Sequence, residues 1–96
     1  MLEKSIERYL LERVKALGGM AIKLDSEKGL PDRLVLDSRG HHYFIELKRP
    51  EGTLSPIQAE YHKRLKDRGH TVLVLWSYND VNEFIEKIFK VNLRRN

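Results

Sequence analysis

Apolar residues recur at helical spacing near the start of the chain, at Ile6, Leu10, Val14 and Leu17. Side chains three and four positions apart share one face of a helix, so the spacing predicts a helix over about residues 2–17, ended by Gly18-Gly19. The period then changes: Met20, Ile22 and Leu24 alternate with Ala21 and Lys23, as in a short strand. Residues 25–31 collect Asp, Ser, Lys, Gly and Pro and read as a loop. Two apolar runs, 33–37 and 41–47, flank Ser38-Arg39-Gly40. They predict a hairpin with a three-residue loop, in which Gly40 supplies the positive φ.

Pro50 and Gly52 make residues 49–53 a loop, and a helix start follows. Ser55 caps, Pro56 takes the first helical position and Gln58 completes a capping box. This helix is expected to run to about Arg68, where Gly69 stops it. The apolar run 71–76 reads as a strand buried on both faces. Asp80 is placed to cap a last helix that carries Val81, Phe84, Ile85 and Ile88 on one face. The polar, basic tail 92–96 is expected to fray. The order αβββαβα predicts an α/β fold, with a mixed central sheet flanked by helices that cover both faces.

Length and composition narrow this further. A chain of 96 residues fits one domain spanning 1–96, without internal repeat or linker. The absence of cysteine excludes disulfides and thiolate metal sites, and favours a cytoplasmic setting. Charges at Glu3 and Lys4 interrupt what a signal peptide would keep apolar, and no apolar run is long enough to cross a membrane. The net charge of +4 suits a polyanionic partner such as nucleic acid, although solubility alone would explain an excess of this size.

The chemistry centres on Asp32, Glu46 and Lys48. Side chains alternate along a strand, so Glu46 and Lys48 share a face. If Asp37 pairs with His41, counting back along the hairpin puts Asp32 opposite Glu46, with Cβ atoms about 5 Å apart. Two carboxyl groups and an ammonium then converge at the open end of the hairpin. Paired carboxylates repel unless a cation lies between them, and Mg²⁺ takes oxygen ligands while keeping several waters. Such an ion polarises a phosphodiester and activates bound water. Lys48 could orient or deprotonate that water, or neutralise charge on the phosphate. An ordinary surface ion-pair cluster would use the same residues, but charges ending an apolar strand in a covered sheet are costly without a task.

Pro31-Asp32 followed by Glu46-Leu47-Lys48, in this order of elements, resembles the PD-(D/E)XK nuclease superfamily. Within it, the chain is similar to the virus-type replication-repair nuclease family, VRR-NUC, in its minimal stand-alone phage form. Glu7, Gly29-Leu30-Pro31-Asp32, the Glu-Leu-Lys triplet and Gln58 carry this resemblance, which covers nearly the whole chain. It implies that Asp32, Glu46 and the backbone carbonyl of Leu47 ligate Mg²⁺ or Mn²⁺, and that Lys48 is the catalytic lysine. It implies further that Glu7 reaches the metal directly or through water, and that Gln58 touches the site or the phosphate backbone. A solvated Glu7 and a purely capping Gln58 are the plain alternatives.

The resemblance implies a DNA endonuclease in a phage or bacterial interior, a homodimer acting on branched DNA such as four-way (Holliday) junctions. Phe84, Ile88, Phe89 and Val91 offer more apolar surface than one sheet face needs, and are the expected dimer contacts. A non-catalytic binding module, or a nuclease acting on flaps, single strands or RNA, stays open. His41, His42, His62 and His70 lack zinc-site spacing and read as surface or loop residues. Lys63, Arg64, Lys66 and Arg68, with Lys48 and Arg49, could follow a phosphate backbone. Tyr61 reads as packing on the sheet with Ile57 and Leu65, or as a base-stacking ring.

Overall fold

A computed structural model describes residues 2–95. Helix α1 (Glu3–Ala16) leads into β1 (Met20–Lys23), β2 (Arg33–Leu36) and β3 (His42–Leu47). Helix α2 (Pro56–Asp67) then crosses to β4 (Val72–Leu75). The chain ends in α3 (Tyr78–Phe84), a π-helical segment (Ile85–Phe89) and α4 (Lys90–Leu93). The sheet order is β1-β2-β3-β4, antiparallel except for the parallel pair β3–β4, so it is mixed and flanked by helices as predicted.

The hydrophobic core lies on one side of this sheet. Ile6, Leu10 and Val14 form the buried stripe of α1. They meet Val35, Tyr43, Ile45 and Leu47 from the sheet and Phe84, Ile85 and Phe89 from the C-terminal helices. Burying each such side chain contributes about 1.5–3 kcal/mol, which makes this layer the main source of stability. The other face is covered less completely. Helix α2 lies over β3 and β4, while Met20 and Ile22 of β1 stay 62% and 40% exposed. The alternation in β1 is therefore real, but Ala21 turns to the core and the larger residues turn outward. β4 is an edge strand, and only Val72 and Leu75 of its four residues are fully buried, fewer than its apolar run predicted.

The caps explain where the helices begin. Ser55 accepts from the Gln58 N–H at 3.2 Å, and its own N–H donates to Gln58 Oε1 at 2.9 Å, the predicted capping box. The last helix starts earlier than expected, because Ser77, not Asp80, is its cap: Ser77 Oγ accepts from the Asp80 N–H at 3.0 Å. Asp80 reaches back to accept from the Trp76 N–H at 2.8 Å. The tail is also more ordered than predicted. Residues to Leu93 are helical, Leu93 packs on the core, and Asn92 Nδ2 donates to the Tyr43 hydroxyl at 2.7 Å. Of the predicted frayed segment, Asn96 lies outside the described residues. Of the expected dimer contacts, Phe84 and Phe89 are buried in the core, and Ile88 and Val91 are half-buried.

Candidate active site

The hairpin places the site. Gly40 adopts φ 91° and Asp37 N–H donates to the His41 carbonyl at 3.1 Å, closing the predicted three-residue loop. The ladder then pairs Leu36 with His42 and continues to Arg33 with Ile45. One further step sets Asp32 opposite Glu46, as the sequence count required. The turn before Asp32 is fixed by Gly29, whose φ is 85° and whose absent side chain would lie 2.8 Å from the Ile57 carbonyl oxygen of α2. Only glycine meets both conditions. Pro31 is fully buried, and the Asp32 carbonyl accepts from the Leu24 N–H at 2.9 Å. Asp32 is thus held by its backbone before its carboxyl group is used.

That carboxyl group accepts from the Leu47 N–H through Oδ2 at 2.8 Å. N–H and C=O of one strand residue point to the same neighbour. The Leu47 carbonyl therefore faces the same hairpin edge, beyond the last β2–β3 pair. A cleft of about 200 Å³ opens there, lined by Asp32, Leu47, Glu7, Glu3, Lys4, Lys23 and Leu24. A larger one of about 500 Å³ runs past Lys48, Arg49, Gly52 and Thr53, and shares Glu3 and Lys4 with the first.

Glu46 is 1% exposed and sits on the α2 side of β3. Its Oε2 accepts from Gln58 Nε2 at 3.5 Å, and its Oε1 lies 3.2 Å from His62 Nε2. Its pKa is pushed up to about 8, first by burial and then by a hydrogen bond to Asp32 and by that residue's charge, with Lys48 pulling the other way. Burial, with Lys66 and Lys48 nearby, holds the His62 pKa below its ordinary value. The centre is thus a buried acid, Glu46, beside the half-buried Asp32.

Asp32, Glu46, Lys48, Leu47 and Gln58 come together as the sequence reading expects. Gln58 both caps α2 and reaches Glu46. Glu7 lines the cleft, but Arg33 Nε binds its Oε2 at 2.9 Å while Arg33 Nη1 donates to the Ala21 carbonyl at 3.1 Å. Among the described residues, no three His, Asp or Glu side chains form a metal cluster. Two carboxylates and a carbonyl suit a cation that keeps much of its water, as Mg²⁺ does, better than a closed cage.

Three readings of single side chains change. His62 is not a surface residue but 4% exposed against Glu46. Its signal was its place four residues after Gln58, on the same face of α2. Ile57 is 52% exposed and covers Gly29, not the sheet, and the Tyr61 hydroxyl binds Glu27 of the β1–β2 loop. Lys63, Arg64, Lys66 and Arg68 are exposed, Lys63 paired with Asp67 at 2.9 Å.

No protein-family model matches the sequence. The chain is 43% identical over 75 residues to "Putative nuclease p44" of Acyrthosiphon pisum secondary endosymbiont phage 1, covering 76% of this chain and 81% of that protein. Its fold is similar to a solved VRR-NUC domain with a TM-score of 0.84 and 36% identity, over 90% of this chain and 96% of the other. With Asp32, Glu46 and Lys48 in the arrangement described above, the chain belongs to the VRR-NUC family of nucleases.

Proposed function

We propose that this nuclease hydrolyses DNA phosphodiester bonds with Mg²⁺ or Mn²⁺, that Asp32, Glu46 and the Leu47 carbonyl hold the ion, and that Lys48 acts beside them. The observation that carries this reading is the placing of the half-buried Asp32 beside the buried Glu46, with the Asp32 carboxyl group on the Leu47 N–H and Lys48 next in the chain. When bound, a divalent cation polarises the phosphodiester and lowers the pKa of a coordinated water. Asp32 and Glu46 take no part in bond making. They hold their oxygens in one place, so no reorganisation is needed when charge develops. Lys48 follows β3 directly, anchored by its N–H to the Leu75 carbonyl at 3.0 Å. From there its ammonium can neutralise the phosphate oxygens or hold the attacking water. Gln58 steadies Glu46 from α2.

The proposed unit is a homodimer acting on branched DNA such as four-way junctions. Met20 and Ile22, exposed on β1, continue into the half-buried Leu34, Leu36 and Phe44 on the same sheet face. This apolar strip is the surface that a two-fold copy would cover. Two active sites related by symmetry match the two equivalent phosphates of a junction.

Labelled four-way junctions, flaps, duplexes, single strands and RNA, incubated with and without Mg²⁺, test the activity. Cutting of the junction only with metal is expected. No cutting of any substrate supports a non-catalytic binding module, and preferential cutting of RNA or flaps overturns the substrate. Light scattering at micromolar protein tests the dimer, which a mass near 11.3 kDa rejects.

A further inference from the structure

Helix α2 contributes one fully buried side chain, and it is a histidine. An aliphatic residue would cover the sheet without bringing a polar ring out of water, which is costly unless the ring is hydrogen-bonded. The ring of His62 points its Nε2 at Glu46 Oε1, 3.2 Å away, while Gln58, one turn earlier, reaches Oε2. Both oxygens of one carboxyl group are therefore gripped by one helix. The capping box fixes the start of that helix, and Ile57 packed on Gly29 ties it to the turn that presents Asp32.

We propose that His62 is a positioning residue for the metal centre: its Nε2–H holds Glu46 in the rotamer that faces Asp32. The inference rests on the metal-site reading above and adds a residue to it. Glu46 has three side-chain torsions, and fixing them only when the ion arrives would cost binding free energy. A neutral imidazole with its proton on Nε2 supplies a donor to Oε1 without placing a second charge in the centre. Partners of this kind beside a ligand typically change metal affinity by about 10–100-fold.

The test is Mn²⁺ binding to the full chain, followed by the paramagnetic signal of the free ion, so that it does not depend on cleavage. His62→Leu fills the same space without a donor and is expected to bind Mn²⁺ about 10–100-fold more weakly. His62→Gln keeps an N–H donor at similar reach and is expected to restore most of the affinity. Wild-type affinity in His62→Leu, or equal loss in both variants, overturns the proposal. A wild-type chain that binds no Mn²⁺ overturns the metal-site reading itself, and the proposal with it. A measurement on the wild type covers the case in which His62→Leu fails to fold. Mg²⁺ should shift the ring ¹⁵N resonances of His62 and leave those of the exposed His42 and His70 in place. An unmoved His62 rejects the role.

Discussion

β3 carries two different surfaces on one strand. Tyr43, Ile45 and Leu47 face α1 and the C-terminal helices in a dry layer of aliphatic and aromatic side chains. Phe44, Glu46 and Lys48 face the α2 side, where cover is partial and the buried groups are Glu46 and His62. The first face is held together by apolar burial, which is non-directional and accumulates. The second depends on directed contacts between polar groups, each costly if left unpaired. A small domain can thus concentrate stability on one side of its sheet and keep a polar, hydrogen-bonded cluster on the other. Because the strand is continuous, the packed face fixes the geometry of the reactive one.

The largest effect should come from the packed face. Ile45→Ala removes a fully buried side chain and is expected to lower stability by about 2–5 kcal/mol. Phe44→Ala, one residue along on the half-covered face, should cost clearly less despite its larger side chain. Denaturant midpoints of the two variants decide this, and the reverse order breaks the contrast. Lys48→Ala should cut DNA at least about a hundredfold more slowly, with its melting temperature nearly unchanged. Full activity there removes Lys48 from the chemistry.

Next comes a pH effect confined to the α2 face. The folded pKa of Glu46, about 8, lies above its ordinary value of 4.5, so the folded state binds more protons between these limits. The stability of the metal-free protein should therefore be greatest below pH 4.5 as far as this group is concerned, and fall by on the order of a few kcal/mol as pH rises through 8. Glu46→Gln should remove that fall and make the metal-free fold more stable than wild type at pH 8. Melting curves across this range that match in the two proteins would show that Glu46 is not the buried acid described. The smallest effect on folding belongs to the open strip. Met20→Ser with Ile22→Ser should change monomer stability by less than about 0.5 kcal/mol per site, yet shift the mass in light scattering from dimer to monomer.

Much of this was legible in the sequence because local rules agreed with the fold. The hairpin register followed from Gly40 and the loop length, and it alone brought Asp32 opposite Glu46. Ser55-Pro56-Ile57-Gln58 announced the start of α2. What the sequence hid depended on tertiary neighbours. His62 looked like any helix histidine until β3 placed Glu46 beneath it. Arg33 read as a strand residue, with no sign that its guanidinium would bind Glu7 across the cleft. Met20 and Ile22 alternate correctly, but alternation does not say which face is inside. In the last helix, Phe84 and Phe89 are taken up by the core as the chain passes through its π-helical segment, and Tyr43 holds a tail that composition alone marks as loose.

In the proposed metal centre, Asp32 and Glu46 hold the ion, and the buried Glu46 ionises when the ion binds. Calorimetric titration of Mg²⁺ at pH 7, repeated in two buffers of different ionisation enthalpy, measures both the ion bound and the protons released. With a pKa of about 8, Glu46 is roughly nine-tenths protonated at this pH. One Mg²⁺ per chain with release of close to one proton is expected, with loss of that release and much weaker binding in Glu46→Gln. No binding by the wild type, or the same affinity and proton release in Glu46→Gln, would contradict it.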